Sequence, residues 1–412
     1  MTTTPPILRR TVLGALLATT LLASTAFAEG GDHWVSTWAA APDLAGPELK
    51  PQTIRQVMRV SAGGRQVRVR LSNLFGSQPL VIGPVHLALP ADGPAIQPGT
   101  DRALAFGGRA TVTIPPGESV LSDAVPMNVA PLQSLVLSLY LPQGSGPSTV
   151  HSFGLQTVYL AEGGDATAAP RLPDHQTDDS RYFVTDIEVA AAGESARTLV
   201  ALGDSLTDGV GSMPDQPSRW TDALAERMQT NLATAHIGVA NVGIAGNRLL
   251  RDGVDPFIGQ SALARLDRDV MGKPNVRWIL LFEGTNDITA ADMLPLPQDQ
   301  PSAERIIEGM KSLIQRAHAS GVSVWGGTLL PRGVTTGKWL QTPAAEAKRL
   351  AVNSWIRQGK AFDAVVDFDQ VVRDPAHPER LRAEFDSGDH VHPNDAGYRA
   401  MAAAVDLGLL KP

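Results

Sequence analysis

The chain changes its sequence pattern near residue 195, and this change limits most strongly how it can fold. Before it, short segments such as 66–71 alternate apolar and polar residues with a period of two, and turns rich in Gly and Pro separate them. After it, short apolar strands alternate with amphipathic helices, of which 302–319 is the clearest. The pattern therefore predicts an all-β region followed by an α/β region with a parallel sheet and helices on both faces.

We place an N-terminal β-sandwich or jelly-roll domain at residues 33–191 and an α/β domain at residues 197–412. Strands of the first domain are predicted at 66–71, 80–82, 85–89, 110–114 and 135–140, with a long loop over 163–180. Strands of the second domain are predicted at 198–202, 237–242, 276–282, 322–330 and 364–367. Its helices are predicted at 220–231, 302–319, 343–358 and 396–407.

The N-terminus has the pattern of a secretory signal peptide. Arg9 and Arg10 precede an apolar run over 12–23, and residues 24–28 have the small-x-small ending of a cleavage site, which finishes on Ala28. The run is shorter than the roughly 20 residues that a membrane span needs. We predict that residues 1–28 are a signal peptide cleaved after Ala28, so that the protein is exported to the periplasm or the extracellular space. An uncleaved amphipathic tail is the alternative, and the export route stays open.

The composition excludes several classes of protein. The chain of 412 residues has no cysteine, which excludes disulfides, a thiol nucleophile, Cys-ligated zinc and a lipid-anchored cysteine. The formal net charge is −7, and loss of Arg9 and Arg10 with the signal peptide would make it −9. No basic surface for nucleic acid is expected, and no stretch after the signal peptide is long and apolar enough for a stable membrane anchor.

Four polar blocks lie beside strand ends of the predicted parallel sheet. They are 203–205 (Gly-Asp-Ser), 241–247 (Asn-Val-Gly-Ile-Ala-Gly-Asn), 283–287 (Glu-Gly-Thr-Asn-Asp) and 386–394, which contains Asp389 and His392. Open α/β sheets bind ligands at the carboxyl edge of their strands, where these blocks are expected. Taken singly, three blocks have a structural alternative: a common turn for 203–205, an Asx-turn for 283–287 and a solvated loop for 386–394. The glycines of 241–247 would let the backbone approach a ligand closely.

The residue types of these blocks also have possible chemical roles. A serine at the start of a helix meets unpaired backbone N–H groups, and the Asn286 amide can donate to a developing oxyanion. Asp389 and His392 are three residues apart, so that the carboxylate can hold the imidazole. His390 and His392 could also form a metal pair, but no third ligand is evident nearby. Asp204 is expected to organise its turn, and Asp287 to cap a helix or hold Asn286.

Other catalytic patterns are missing from the sequence. It contains no G-x-S-x-G pentapeptide of the α/β-hydrolases, no dinucleotide-binding glycine motif and no P-loop. Nothing in it requires the pair of opposed carboxylates that a glycosidase uses.

Together and in this order, the four blocks resemble those of the SGNH or GDSL hydrolase superfamily. The resemblance spans about 197–410 and implies a flavodoxin-like three-layer α/β/α fold with a five-stranded parallel sheet. It implies that Ser205 is the nucleophile, His392 the general base and Asp389 the acid that orients it. The oxyanion hole would consist of the backbone N–H groups of Ser205 and Gly246 and the side chain of Asn286, with Gly246 fitting the pattern better than Gly243. No metal or organic cofactor is expected.

The N-terminal half resembles the opening of a branch of exported GDSL esterases. The residues that carry this resemblance are 34–42 (Trp-Val-Ser-Thr-Trp-Ala-Ala-Ala-Pro) and 71–76 (Leu-Ser-Asn-Leu-Phe-Gly). In that branch a β-domain precedes the hydrolase core, and some members are associated with plant-polysaccharide breakdown. Trp34 and Trp38 are expected to pack in the core or between the domains, and contact with a ligand is the alternative.

The sequence therefore predicts an exported serine esterase that acts through an acyl-enzyme. Its partner would be a small-molecule or carbohydrate ester, and both an O-acetyl esterase on carbohydrate and a short-chain or aryl esterase fit. A lysophospholipase or lipase-like acylhydrolase is a further alternative. A carbohydrate-binding or interaction protein with a decayed hydrolase core is the alternative outside catalysis, and the intact Ser205, Asp389 and His392 argue against it.

Overall fold

A computed structural model describes residues 1–3, 33–191, 193, 195–294, 296–333 and 341–411. The signal peptide proposed for residues 1–28 lies, apart from its first three residues, outside this range.

In the described part of the first half, the regular elements are all strands. They are β1 (His33–Ala39), β2 (Leu44–Glu48), β3 (Gln52–Arg59), β4 (Gly64–Ser72), β5 (Leu80–Ile82), β6 (Val85–Ala88), β7 (Arg102–Ala103), β8 (Val112–Ile114), β9 (Ser119–Leu121), β10 (Val125–Val129), β11 (Ser134–Leu141), β12 (Pro147–His151), β13 (Val158–Glu162), β14 (Gln176–Asp178), β15 (Arg181–Tyr182) and β16 (Val184–Ala191).

These strands form antiparallel sheets around one core. The first sheet has the order β1-β16-β4-β10, with β9 also paired to β4, and the second has the order β14-β13-β3-β11-β6-β7. The shorter strands form a sheet of β15-β12-β2 and the pair β5-β8. Val67 and Ile187 of the first sheet share a buried apolar cluster with Ile54 and Leu137 of the second. The all-β fold class predicted for this region is thus confirmed.

The second half alternates strands and helices. Its strands are β17 (Arg197–Gly203), β18 (Ile237–Asn241), β19 (Val276–Phe282), β20 (Ser323–Gly327) and β21 (Ala364–Val366). Its α-helices are α1 (Ser205–Asp208), α2 (Trp220–Gln229), α3 (Ala262–Arg265), α4 (Thr285–Met293), α5 (Ala303–Ala319), α6 (Pro343–Gln358), α7 (Phe368–Val372) and α8 (Asp395–Ala404). A π-helical turn follows α3 at Leu266–Met271, and 3₁₀ turns lie at Pro297–Asp299, Ala383–Phe385 and Leu407–Leu409.

The five strands form one parallel sheet in the order β18-β17-β19-β20-β21. The central strand β19 is fully buried from Trp278 to Phe282, as its continuous apolar sequence requires of a strand covered on both faces. Helix α2 packs on α8, and α5 packs on α6. This strand order is that of flavodoxin-like folds, and it confirms the predicted fold class. It also places β17 between β18 and β19, so that the blocks after these three strands are neighbours.

The structure corrects several predicted bounds. The strand predicted at 322–330 ends at Gly327, because its neighbour β21 ends at Val366, the residue paired with Gly327. The loop predicted over 163–180 contains β14, which pairs with β13. Helix α4 was not predicted, because its sequence Thr-Asn-Asp-Ile-Thr-Ala-Ala-Asp-Met has too few large apolar residues to form a clear stripe.

Residues 32–412 form one compact unit, in which the two halves share buried polar contacts. The backbone N–H of Ser36 on β1 donates to Thr198 Oγ1 at 3.1 Å. Lys273 Nζ and Asp186 Oδ2, both buried, form an ion pair at 3.0 Å across the halves. The division into domains at 191 and 197 stays a prediction. Within the described range, the helices are all too short or too polar to cross a membrane.

Candidate active site

Ser205 lies where β17 turns into α1, at the carboxyl edge of the sheet. Asp204 is the N-cap of α1, and its Oδ1 accepts the backbone N–H of Leu206 at 2.9 Å, so it organises the turn as expected. Gly203 leaves no room for a side chain, because an added Cβ would collide with the Phe282 carbonyl and the Thr207 side chain. The half-buried Ser205 is thereby presented on the first turn of a helix.

The structure brings Ser205, His392 and Asp389 together, although 187 positions separate the first two in the sequence. Ser205 Oγ lies 2.8 Å from His392 Nε2, and His392 Nδ1 lies 2.6 Å from Asp389 Oδ2. Because the carboxylate can only accept, Nδ1 carries the proton and Nε2 is the acceptor for the serine hydroxyl. This is the hydrogen-bond chain that a serine nucleophile and its general base require.

Asp389 is held as an anion. Its Oδ1 accepts the backbone N–H groups of His392 at 2.8 Å and Val391 at 2.9 Å. Burial on its own would raise the pKa of Asp389, but the hydrogen bonds and charge of His392 and the backbone donors hold it well below its ordinary value. The carboxylate can therefore stabilise an imidazolium at His392.

The second block contains Gly246, whose φ of +74° is a conformation that favours glycine. No residue of the described range accepts a hydrogen bond from the backbone N–H of Gly246 or of Ser205. Gly243 allows a close approach of two backbone segments, since an added Cβ there would collide with the backbone of Thr207 and Asp208. Gly246, and not Gly243, is thus the glycine of this block with a free N–H donor.

Asn286 lies at the second position of α4. Its Nδ2 donates to the backbone carbonyl of Asn247 at 2.8 Å, which leaves the second amide hydrogen free. This bond ties the third block to the residue after Gly246. The fully buried Arg265 ties the first two blocks together, since its guanidinium donates to the carbonyls of Gly203 and Val242 and to Asn247 Oδ1.

His390, the other histidine of the fourth block, is not part of the hydrogen-bond chain from Ser205 through His392 to Asp389. His390 Nδ1 lies 2.5 Å from Asp386 Oδ2, and its side chain is 66% exposed. Among the described residues, no group of three or more His, Asp or Glu side chains could hold a metal ion.

Three carboxyl groups are buried around these blocks. Burial raises the pKa of Asp287 to about 6, and its oxygens accept the backbone N–H groups of Leu249 and Leu250. It therefore holds the loop after the second block and not Asn286. Glu283 is fully buried beside Asp204, and both burial and that neighbour raise its pKa well above the ordinary value.

One contact that the sequence does not predict connects the β region to the second block. His151, at the end of β12, places Nε2 3.0 Å from Asp208 Oδ1 and Nδ1 2.9 Å from the Ala41 carbonyl. Asp208 Oδ2 accepts the backbone N–H of Ala245, the residue before Gly246, at 2.8 Å. Burial alone would lower the pKa of His151, but Asp208, with smaller contributions from Asp43 and the Ala41 carbonyl, raises it to about 9. A buried cation of the β region thus holds the carboxylate that positions the backbone beside Gly246.

Comparison with known proteins identifies the family of this region. Residues 201–400 match the family model described as GDSL-like lipase/acylhydrolase family. No curated protein matches the chain.

Solved structures similar to about half of the chain include an aryl esterase from M. smegmatis, with 20% identity, 51% of this chain and 96% of that one covered, and a TM-score of 0.40. An acetylxylan esterase from Geobacillus stearothermophilus matches with 22% identity, 50% and 91% coverage and a TM-score of 0.38. An α/β hydrolase from the metagenome of Lake Arreo, Spain, matches with 22% identity, 53% and 96% coverage and a TM-score of 0.39. From the match to the family model and the parallel sheet with its helices, we conclude that residues 201–400 of this chain form a GDSL-like lipase/acylhydrolase domain.

Proposed function

We propose that this protein is a serine esterase that hydrolyses carboxylic esters through an acyl-enzyme. The observation that carries the proposal is the chain of hydrogen bonds from Ser205 Oγ through His392 to Asp389, with distances of 2.8 Å and 2.6 Å. A serine hydroxyl is a poor nucleophile until a base accepts its proton, and the neutral Nε2 of His392 is aligned for this. The family of the domain fits the same chemistry.

In the first step, Ser205 Oγ attacks the ester carbonyl while His392 Nε2 takes the hydroxyl proton. The imidazolium that forms is stabilised by the anionic Asp389. The negative charge on the carbonyl oxygen is stabilised by the free donors of this edge, which are the N–H groups of Ser205 and Gly246 and the second amide hydrogen of Asn286. His392 then gives its proton to the leaving alcohol, and the acyl group stays on Ser205.

In the second step, His392 activates a water molecule, which attacks the acyl-enzyme and releases the acid. Both steps need a neutral imidazole at the start.

The two histidines of the fourth block, His392 and His390, provide a matched variant and control for this assignment. We expect His392→Asn and Ser205→Ala to lower kcat for p-nitrophenyl acetate by several powers of ten, because either change breaks the chain of bonds. His390→Asn changes the neighbouring exposed histidine, and asparagine tolerates its φ of +63°. This control should keep the activity, and near-normal turnover by Ser205→Ala would refute the nucleophile.

For the substrate, we propose esters with a short acyl group, either acetyl groups on carbohydrate or small aryl esters. The support is the resemblance of residues 34–42 and 71–76 to exported GDSL esterases. Acetylated oligosaccharides assayed beside aryl esters of increasing acyl length would test it. A rate that increases up to long acyl chains would favour a lipase-like enzyme instead.

We also propose that the protein is exported. The support is the n-region, apolar run and small-residue ending of residues 1–28. Mass spectrometry of the protein recovered from outside the cytoplasm should find Glu29 at the N-terminus, and an intact N-terminus would contradict cleavage.

A further inference from the structure

A cavity of about 480 Å³ lies between the β region and the hydrolase domain. The β region contributes Trp38, Tyr159 and Arg181 to its wall, and the hydrolase domain contributes Asp215, Arg219 and Asn241. Neither Ser205 nor His392 is among the residues that line it. Its volume is in the range of small-molecule sites, so it is more than an ordinary packing defect.

Arg181 is an unpaired cation in the wall of this cavity. The residue is 4% exposed, and its Nη1 has neither a hydrogen-bond partner nor contact with water. No side chain or carbonyl of the described residues accepts a hydrogen bond from its guanidinium. A buried charge without a partner is costly, and proteins retain such groups where a ligand or ion completes them.

The neighbouring charges are already satisfied by the protein. Arg219 donates to the carbonyls of Asp208 and Gly154, both at 2.6 Å. The Asp215 carboxylate accepts three hydrogen bonds from Gln156 and Thr157. Neither Arg219 nor Asp215 forms a hydrogen bond with Arg181.

The field at Arg181 also favours an anion. Burial, and after it the positive charge of Arg219, lowers the pKa of Arg181 to about 9, against a smaller opposing effect of the carboxylates of Asp215 and Asp179. A negative charge placed beside Arg181 would offset both effects. The planar fork of a guanidinium matches a carboxylate in a two-bond arrangement.

We propose that this cavity binds a small organic carboxylate with a hydroxylated body, its carboxylate group paired with Arg181. The wall supports such a body, since the rings of Trp38 and Tyr159 provide apolar surface and the Tyr159 hydroxyl provides a hydrogen-bonding group. The proposal concerns a second site and does not depend on the esterase activity.

Calorimetric titration of the full-length protein with glucuronate, and with glucose as its uncharged counterpart, tests this site. We expect saturable binding of glucuronate and none of glucose. Arg181→Gln should weaken glucuronate binding by roughly 10- to 100-fold, the loss expected for a charge-assisted hydrogen-bond pair. Arg109→Gln, which changes an exposed arginine of the same region, should bind as the wild type does.

Thermal melting keeps the test valid if a variant folds poorly. Glucuronate should raise the melting temperature of the wild type and of Ser205→Ala, but not that of Arg181→Gln. Arg181→Lys, which keeps the charge without the fork, should bind with intermediate affinity. Equal binding by Arg181→Gln, equal binding of glucose, sulfate binding as tight as that of glucuronate, or loss of binding in Ser205→Ala would each overturn the proposal.

Discussion

The buried pair of His151 and Asp208 should make the stability of this protein depend on pH in the alkaline range. Burial on its own would lower the pKa of His151 from its ordinary value of 6.5. The nearby Asp208 carboxylate outweighs this effect, and the pKa rises to about 9. One pKa unit corresponds to about 1.4 kcal/mol, so the shift contributes about 3 kcal/mol to the free energy of unfolding.

The sign of the effect follows from the direction of the shift. Below pH 6.5 the imidazole is protonated in both the folded and the unfolded chain, and the stabilisation is complete. As the pH rises towards about 9, the unfolded chain loses its proton first, and the stabilisation is progressively lost.

Urea denaturation at about pH 6 and about pH 10 measures this loss. The free energy of unfolding of the wild type should fall between the two conditions by about 3 kcal/mol more than that of His151→Gln, which cannot titrate at this position. His377→Gln, a change of an exposed histidine, should behave as the wild type does. An equal fall in wild type and His151→Gln would refute the view that Asp208 holds a buried imidazolium.

Two further changes test the chemistry at the sheet edge. Asp389→Asn should lower kcat by about 10⁴-fold while the melting temperature changes little, because the amide removes the anion that holds His392; an unchanged kcat would exclude the orienting role. Asn286→Ala should lower kcat by about 10²–10³-fold with KM nearly constant, since the amide acts on the developing oxyanion; steady-state kinetics that show a change in KM alone would contradict this.

The parts of the fold that were predictable are those in which the sequence contains one clear period. The strand at 276–282 was predicted with the bounds of β19, because every residue after Arg277 is apolar and buried. The helix predicted at 302–319 begins after Ser302, whose side chain caps α5 by accepting the N–H of Arg305. Helix α4, which has no such stripe, was missed.

The candidate site was predictable for a different reason. Ser205, Asp389 and His392 are found in a recognisable order of short blocks, and the structure brings the three together. The contact between His151 and Asp208 joins residues 57 positions apart in the chain, and no local pattern indicates which distant side chain will fill a buried space. The unpaired state of Arg181 is likewise a property of packing and not of sequence.

The ion pair between Lys273 and Asp186 joins the two halves through charges that are both shielded from water. Deleting either half would bring the remaining ion, and the surface around it, into contact with water, so that the stabilisation from this shared interface would be lost. The two halves therefore stabilise each other. Expressing the catalytic half alone is therefore expected to lower its free energy of unfolding, because surface that the β region covers in the full chain would face water.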